Sequence, residues 1–299
     1  MINIISVVFK QELSYLKTQA KSIELYVKSS DINSIIVVVN DTEDVLNLID
    51  LNWYGVNASK VKLIHFSELI SKSDLAEWHC RSGWHTQQLC KLLAASIADI
   101  DWNMIIDAKT FFICPLILAN VITSDNKAFS NLTPISHYFV NERDFIQQYF
   151  AVQLNNNYIG PGGVPFLMHT PTVKSMIDYI VMRENSSLLE FFFKYPMTEF
   201  LLYSGYVLHI NTDYTTLYRT RYMNAYRFHH IADWQYLEFD SILHFITISS
   251  NTLTISLHRR AYPQLTDEQK TKWVELLYNK GLINSVEDTK NELNTILTG

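Results

Sequence analysis

The chain has 299 residues, 48% of them hydrophobic and 13% aromatic, and a formal net charge of −6. That length is enough for a sizeable core and predicts one large domain or one and a half. The eight glycines and seven prolines exclude collagen-like and disordered chains, and an acidic balance without a dense basic cluster argues against nucleic-acid binding through phosphate neutralisation.

Residues 2–9 are β-branched and apolar and predict a buried strand, closed by Lys10, Gln11 and Glu12. Lys10 also interrupts the segment too early for a signal peptide. No apolar run approaches the roughly 20 residues of a membrane span, so the expectation is a cytoplasmic protein, with peripheral membrane contact left open. A helix over 13–28 follows, then a buried strand over 34–39 ending at Asn40-Asp41. Residues 42–49 are expected to open a helix with Asn40 or Asp41 as its cap, and 62–65 to form a third short strand. Strands and helices alternating at this spacing predict an α/β unit with parallel strands covered on both faces.

Gly83 opens a helix with Leu89, Leu92, Leu93 and Ile97 on its apolar side and with Gln87 and Lys91 on a shared face. Trp84 is expected in the core rather than as a stacking platform. Residues 104–106 are the next buried strand, which breaks at Asp107-Ala108-Lys109. An acid and a base at the tip of a buried strand are costly without partners or ligands. Ligands of open α/β sheets sit beyond the carboxyl ends of the strands. Three such ends carry polar residues here: Lys10 with Glu12, Asn40 with Asp41, and Asp107 with Lys109. Parallel strands would place all three on one rim.

The second half is less regular. Residues 155–165 hold a Gly/Pro-rich loop whose glycines permit close backbone approach. Helices are expected over 170–182, with Pro171 in the first turn, and over 198–206, with Thr198 as cap. Residues 242–258 read as two strands. Residues 266–280 read as a helix capped by Thr266 and stopped by Gly281, with Trp273, Leu276 and Leu277 as its apolar face. Cys80, Cys90 and Cys114 make no paired framework, which fits a reducing compartment. His79, Cys80 and His85 are poorly spaced for a metal, and His229-His230 has no third ligand at zinc spacing.

Several pieces in order carry a resemblance. Gly83-Trp84, Gln87-Gln88 and Lys91-Leu92 precede a strand ending in Asp107-Ala108-Lys109. Gly162-Gly163-Val164-Pro165, Thr198-Glu199-Phe200 with Tyr203, and the run from Ser256 to Arg260 come later. The chain resembles a largely uncharacterised family of bacterial glycosyltransferase-like proteins associated with surface-polysaccharide synthesis, within the GT-A class of nucleotide-sugar glycosyltransferases. The resemblance covers about residues 2–282. It implies a single GT-A-like (Rossmann-like) α/β domain, a mostly parallel sheet flanked by helices. Residues 1–125 would be the nucleotide-binding half, 126–262 the acceptor and sugar-binding half with its own strands and helices, and 263–299 the C-terminal helices.

The implied activity is sugar transfer from a nucleotide-sugar donor to a hydroxyl of a glycan or lipid-linked glycan. In GT-A enzymes the strand comparable to 104–109 ends in Asp-x-Asp, whose carboxylates touch the ribose and hold a divalent metal on the donor diphosphate. Here the second acid is Lys109. A charged lysine ligates no metal but neutralises diphosphate directly, so the expectation is little or no metal dependence and no metal ligand set, with weak Mg²⁺ or Mn²⁺ at Asp107 left open.

By the same resemblance, Asp107 and Lys109 meet the diphosphate with help from His258, Arg259 and Arg260, and Asp41 meets the nucleoside. Glu199 serves as base or sugar ligand. Lys10, Gln87, Gln88 and Lys91 line the donor cleft with Gly162 and Gly163. Plainer readings stand beside these: a structural Asp107–Lys109 ion pair, Asp41 as a helix cap, Gln87, Gln88 and Lys91 as a solvated helix face, Glu199 as a first-turn acid. The alternative functions are a nucleotidyltransferase-like enzyme, which normally needs two metal-binding acids, and a non-catalytic module on the same fold.

Overall fold

The computed structural model describes residues 1–78, 83–155, 157–160, 165–195, 197–221, 225–228, 236–248, 252–290 and 293. The first half contains β1 (Ile2–Val8), α1 (Leu13–Tyr26), β2 (Ile32–Val39), β3 (Val61–His65), α2 (Leu75–Trp78), α3 (Gly83–Ser96), β4 (Trp102–Asp107) and β5 (Thr110–Phe112). Next come β6 (Ala128–Ser130), β7 (Leu132–Pro134), α4 (Val140–Phe150), β8 (Asn157–Ile159), β9 (Phe166–His169), α5 (Thr170–Glu184), α6 (Leu188–Lys194) and α7 (Glu199–Asn211). The chain closes with β10 (Tyr218–Thr220), β11 (Ala225–Phe228), α8 (Tyr236–Ile248), β12 (Thr254–Leu257) and α9 (Asp267–Asn279).

The central sheet has the order β3-β2-β1-β4-β9. Its first four strands are parallel and β9 is antiparallel to β4. All seven residues of β1 are buried, as a strand covered on both faces requires. Register pairs Val8 with Val39, Val39 with His65, and Val7 with Asp107, so the carboxyl ends of β1 to β4 share one rim.

The opposite, amino-terminal end of the sheet is locked by neutral amides. Asn3 Nδ2 donates to Asn103 Oδ1 at 2.9 Å, and Asn103 Nδ2 donates to Thr170 Oγ1 at 2.7 Å. Asn33 Nδ2 and Ser34 Oγ both donate to Asn3 Oδ1. The ladder ties β2, β1, β4 and the start of α5 together and penalises any slip of register, because each buried amide would lose its partner.

A second sheet, β11-β12-β5, carries the C-terminal segment. β12 runs antiparallel to β5 and pairs Ser256 with Thr110, so His258–Arg260 leave the sheet beside Ala108 and Lys109. Trp273, Val274, Leu276 and Leu277 of α9 bury against Phe239, Leu243 and Ile246 of α8, with Tyr15 and Phe111 in the same cluster.

Four expectations are corrected. Residues 42–49 form a 3₁₀ helix, Glu43–Leu48, with no side-chain cap bond, because Asp41 and Asn40 are engaged elsewhere. Residues 242–258 are the end of α8 and then β12, not two strands. Buried Phe239, Leu243 and Ile246 keep a helical stripe there, masked in the sequence by further apolar residues at 242, 245 and 248. Ile97 lies beyond α3 and is 57% exposed. Trp84 is 48% exposed in the first turn of α3, its ring edge-on to His85, and is not a core anchor.

Two consequences test this packing. Asn103→Ala is expected to cost about 2–3 kcal/mol, because it leaves the buried Asn3 amide without its acceptor; a lowered urea midpoint at unchanged slope reports it. In α7, a Cβ on Gly205 would overlap Ile146 Cγ2 of α4. Gly205→Ala is therefore expected to destabilise by about 1–3 kcal/mol although alanine is the better helix former by roughly 1 kcal/mol. A stabilised variant would contradict the close α4–α7 approach.

Candidate active site

Five charged side chains meet at the carboxyl end of β4. Lys91 Nζ, from the middle of α3, lies 2.9 Å from Asp107 Oδ1 and 2.9 Å from Glu199 Oε1. Lys109 Nζ lies 3.3 Å from Asp107 Oδ2 and 4.0 Å from Glu12 Oε1. Their side chains are 4–7% exposed. Burial by itself would push the Lys91 ammonium down, but Asp107 and Glu199 outweigh it and hold its pKa above the ordinary lysine value. A raised folded value means that this contribution is complete below the ordinary lysine range and is lost only as pH climbs through the higher folded value. Removing one partner of such a buried group typically costs about 3–5 kcal/mol.

The supporting bonds explain the geometry. Asp107, Ala108 and Lys109 join β4 to β5, and Gln19 Nε2 of α1 clamps that turn by donating to the carbonyls of Asp107 (2.6 Å) and Thr110 (3.1 Å). Thr198 caps α7 by accepting from Leu201 N, which places Glu199 in its first turn. Glu199 N donates to Gln88 Oε1 at 3.0 Å, so α3 holds both the backbone and the carboxylate of Glu199. The Lys91 ammonium also lies 5.3 Å from the centre of the Phe200 ring.

A hollow of about 510 Å³ opens on the same rim, lined by Phe9, Asn40, Asp41, His65, Phe66, Trp78 and Thr86 among others. Phe66 stacks on Trp78 with ring centroids 4.9 Å apart. Asn40 Nδ2 donates to Thr86 Oγ1, and Asn40 Oδ1 accepts from Trp78 Nε1, which fixes the wall. Asp41 accepts from Lys10 N through Oδ2 and from Thr42 N through Oδ1, both at 2.8 Å. Asp41 therefore joins the exits of β1 and β2 and caps no helix. His65 Nε2 is 2.8 Å from the Asp41 carbonyl and Nδ1 is 2.7 Å from Ser67 Oγ.

The structure brings Asp107, Lys109, Lys91, Gln88 and Glu199 together, and Lys10 with Asp41 nearby on the rim. Gln88 and Lys91 are buried, which removes the reading of a solvated helix face for them. Gln87 is half-buried on the same helix. The Lys10 side chain is exposed and 3.8 Å from Asp44. His258 and Arg259 are half-buried and Arg260 is exposed. The Tyr15 hydroxyl is held well above its usual range by burial, with Glu12 and Tyr262 raising it further and Arg259 opposing. Gly162 and Gly163, with His79, Cys80, His229 and His230, lie outside the described residues. Among the described residues no group of three His, Cys, Asp or Glu side chains is placed to hold a metal ion, and no helix is long and apolar enough to cross a membrane.

Sequence reasoning passed over Gln19, His65, Trp78 and Thr86, and noted Glu12 without assigning it a role. A signal for three of them was present. Glu12 and Gln19 are polar positions on the same stripe as Leu16 and Ile23, spaced to face one side of a helix. His65 ends the third parallel strand, as Asn40 ends the second.

The fold is shared with solved structures. An active-site mutant of LgtC matches at TM-score 0.50 and 12% identity over 93% of this chain and 96% of that one. The galactosyltransferase LgtC in complex with donor and acceptor sugar analogues matches at 0.48 and 13% over 97% and 100%, a score too low to add weight. At such identity the likeness shows the fold alone: a mixed α/β, parallel-rich sheet flanked by helices, of the GT-A type. No curated protein matches the chain. Sequence does establish kinship: a family of unknown function (DUF6492) matches over residues 10–285, and the protein belongs to that family.

Proposed function

We propose that the protein is a glycosyltransferase that takes a nucleotide-sugar donor and transfers its sugar to a hydroxyl of a glycan or lipid-linked glycan, in bacterial surface-polysaccharide synthesis. The observation that carries the reading is the hollow at the carboxyl ends of β1, β2 and β3, on the same rim as the charged Asp107–Lys109 corner. That rim is where an open α/β sheet binds ligands, and the GT-A fold of the chain agrees with it.

In this reading the nucleoside occupies the hollow between Asp41, His65, Phe66 and Trp78. The diphosphate lies toward the 107–109 corner, where Lys109, Arg259 and Arg260 supply positive charge and His258 Nδ1 accepts from Arg260 N in the same turn. Glu199, fixed at the start of α7, accepts from a sugar hydroxyl. Among the described residues, Glu12 Oε2 and Thr110 Oγ1 are buried without hydrogen-bond partners, an unusual state that marks polar capacity near the corner. The largest catalytic contribution would be electrostatic: fixed ammonium and guanidinium groups stabilise the departing nucleoside diphosphate without reorganising.

The residues do not suit a divalent metal at Asp107. Both of its carboxylate oxygens lie within 3.3 Å of lysine ammoniums, and a charged lysine repels a cation. This supports metal-independent donor binding and weighs against a nucleotidyltransferase, whose chemistry normally uses two metal-binding acids. A non-catalytic binding module is favoured by the closure of the ion network, and turnover separates the two: donor binding without release of nucleoside diphosphate or transfer would establish it.

A thermal-shift screen of sugar nucleotides tests the reading. One donor class is expected to raise the melting temperature equally with and without EDTA, and Lys109→Ala, folded by circular dichroism, is expected to abolish that shift. A shift that requires Mn²⁺ and survives Lys109→Ala would remove the proposal of lysine-held diphosphate. Separately, His65→Ala opens the wall of the hollow and is expected to weaken nucleoside diphosphate binding about tenfold. Unchanged affinity would move the nucleoside elsewhere.

A further inference from the structure

We infer that Lys91 is a tethered counter-ion standing where a divalent cation would bridge Asp107 and Glu199, so that removing its ammonium turns the protein into a divalent-cation binder. The inference rests on the proposed glycosyltransferase reading only for its bearing on the donor; the ion arrangement itself is independent of it.

Three observations carry it. First, one ammonium is equidistant, at 2.9 Å, from a carboxylate on a strand end and a carboxylate on a helix start. Hard divalent cations bind carboxylate oxygens at about 2.0–2.6 Å, so each acid needs to close by less than 1 Å, roughly, to grip an ion in that place. Second, the backbones of both acids are held by bonds that Lys91 does not make: Gln88 accepts from Glu199 N, and Gln19 donates to the Asp107 carbonyl. The two residues therefore keep their places on α7 and β4 when the ammonium is gone, and only their side chains need to close on an ion. Third, the network cannot simply solvate. Its side chains are 4–7% exposed, and two like charges facing each other in a poorly screened site repel strongly.

The same geometry separates the two lysines. Lys109 lies on the turn beyond β4 and pairs with the other Asp107 oxygen and, more distantly, with Glu12. It belongs to the corner that the donor approaches. Lys91 comes from the middle of α3, over the Phe200 ring and between the two acids. Lys91 is thus a positioning residue that balances the charges of Asp107 and Glu199.

The experiment compares the wild type, Lys91→Ala, and Lys91→Ala with Glu199→Gln, using Mn²⁺ alone as the probe at about 1 mM. Thermal melts and the Mn²⁺ electron-paramagnetic-resonance signal are the readouts. The wild type is expected to ignore Mn²⁺. Lys91→Ala is expected to melt about 5–10 °C lower, to recover at least half of that loss in Mn²⁺, and to lose it again in EDTA. The double variant, which removes one charge of each sign, is expected to melt above Lys91→Ala without Mn²⁺ and to bind the ion less well.

If Lys91→Ala fails to fold, a folded double variant still supports the inference, and failure of both overturns it. A Lys91→Ala protein as stable as the wild type, or blind to Mn²⁺, overturns it, and so does a wild type that binds Mn²⁺. None of these readouts involves a donor. A Mn²⁺ switch in a protein that binds no sugar nucleotide would defeat the glycosyltransferase reading and leave this inference standing.

Discussion

The bridge from Lys91 to Asp107 and Glu199 holds the candidate site together. It joins three elements that are distant in sequence: the middle of α3, the end of β4 and the first turn of α7. Ions in a dry interior are tolerated only when nearly every charge has an opposite within reach. Lys109 and Glu12 extend the same logic to the turn after β4 and to the residue before α1. Because partial assembly leaves a bare buried charge, the network is close to all-or-none, and docking of α7 onto the sheet is coupled to the shape of the β4–β5 turn.

The two ends of the central sheet solve the burial of polar groups differently. At the amino end, Asn3, Asn103 and Thr170 are neutral and satisfy one another. Such a ladder specifies register at modest cost, since a paired amide loses little on leaving water. At the carboxyl end the buried groups are charged. Apolar side chains in place of all five ions would fill the same space at lower electrostatic cost, so fold stability is a weak explanation for them. Under the proposed function, the hollow on the same rim, walled by Asn40, Trp78 and Phe66, gives a ligand its place and the charges a reason to be there.

Much of this was legible in the sequence, for identifiable reasons. Parallel buried strands advertise themselves as β-branched runs, and the breaks at Lys10, Asn40 and Asp107 marked one rim because parallel register makes them do so. Thr198 and Thr266 announced helix starts through ordinary capping chemistry. Three things were hidden. Residues 236–248 are so apolar that helical and strand periodicities look alike, and only packing of Phe239, Leu243 and Ile246 against α9 decides between them. Trp84 looked like an anchor, yet its place in the first turn of α3 leaves it half outside. The pairing of Lys91 with Glu199 spans 108 residues, and no local pattern encodes which acid a buried lysine will meet.

Under the proposed function, replacing a metal by the Lys109 ammonium has a consequence for turnover. A divalent ion can leave with the nucleoside diphosphate, which lowers the charge that must be pulled from the site. An ammonium on the 107–109 turn stays behind. Product release then depends on weakening the remaining attractions, and the acids that neutralise the lysines supply such a means. Asp107 shares its charge between Lys91 and Lys109, and Glu12 draws on Lys109 from the other side. A diphosphate at this corner competes with resident carboxylates throughout, so it binds less tightly than it would to bare cations. The buried acids thereby limit affinity for product while the fixed positive charges remain available to the transition state, in which negative charge on the leaving group is growing.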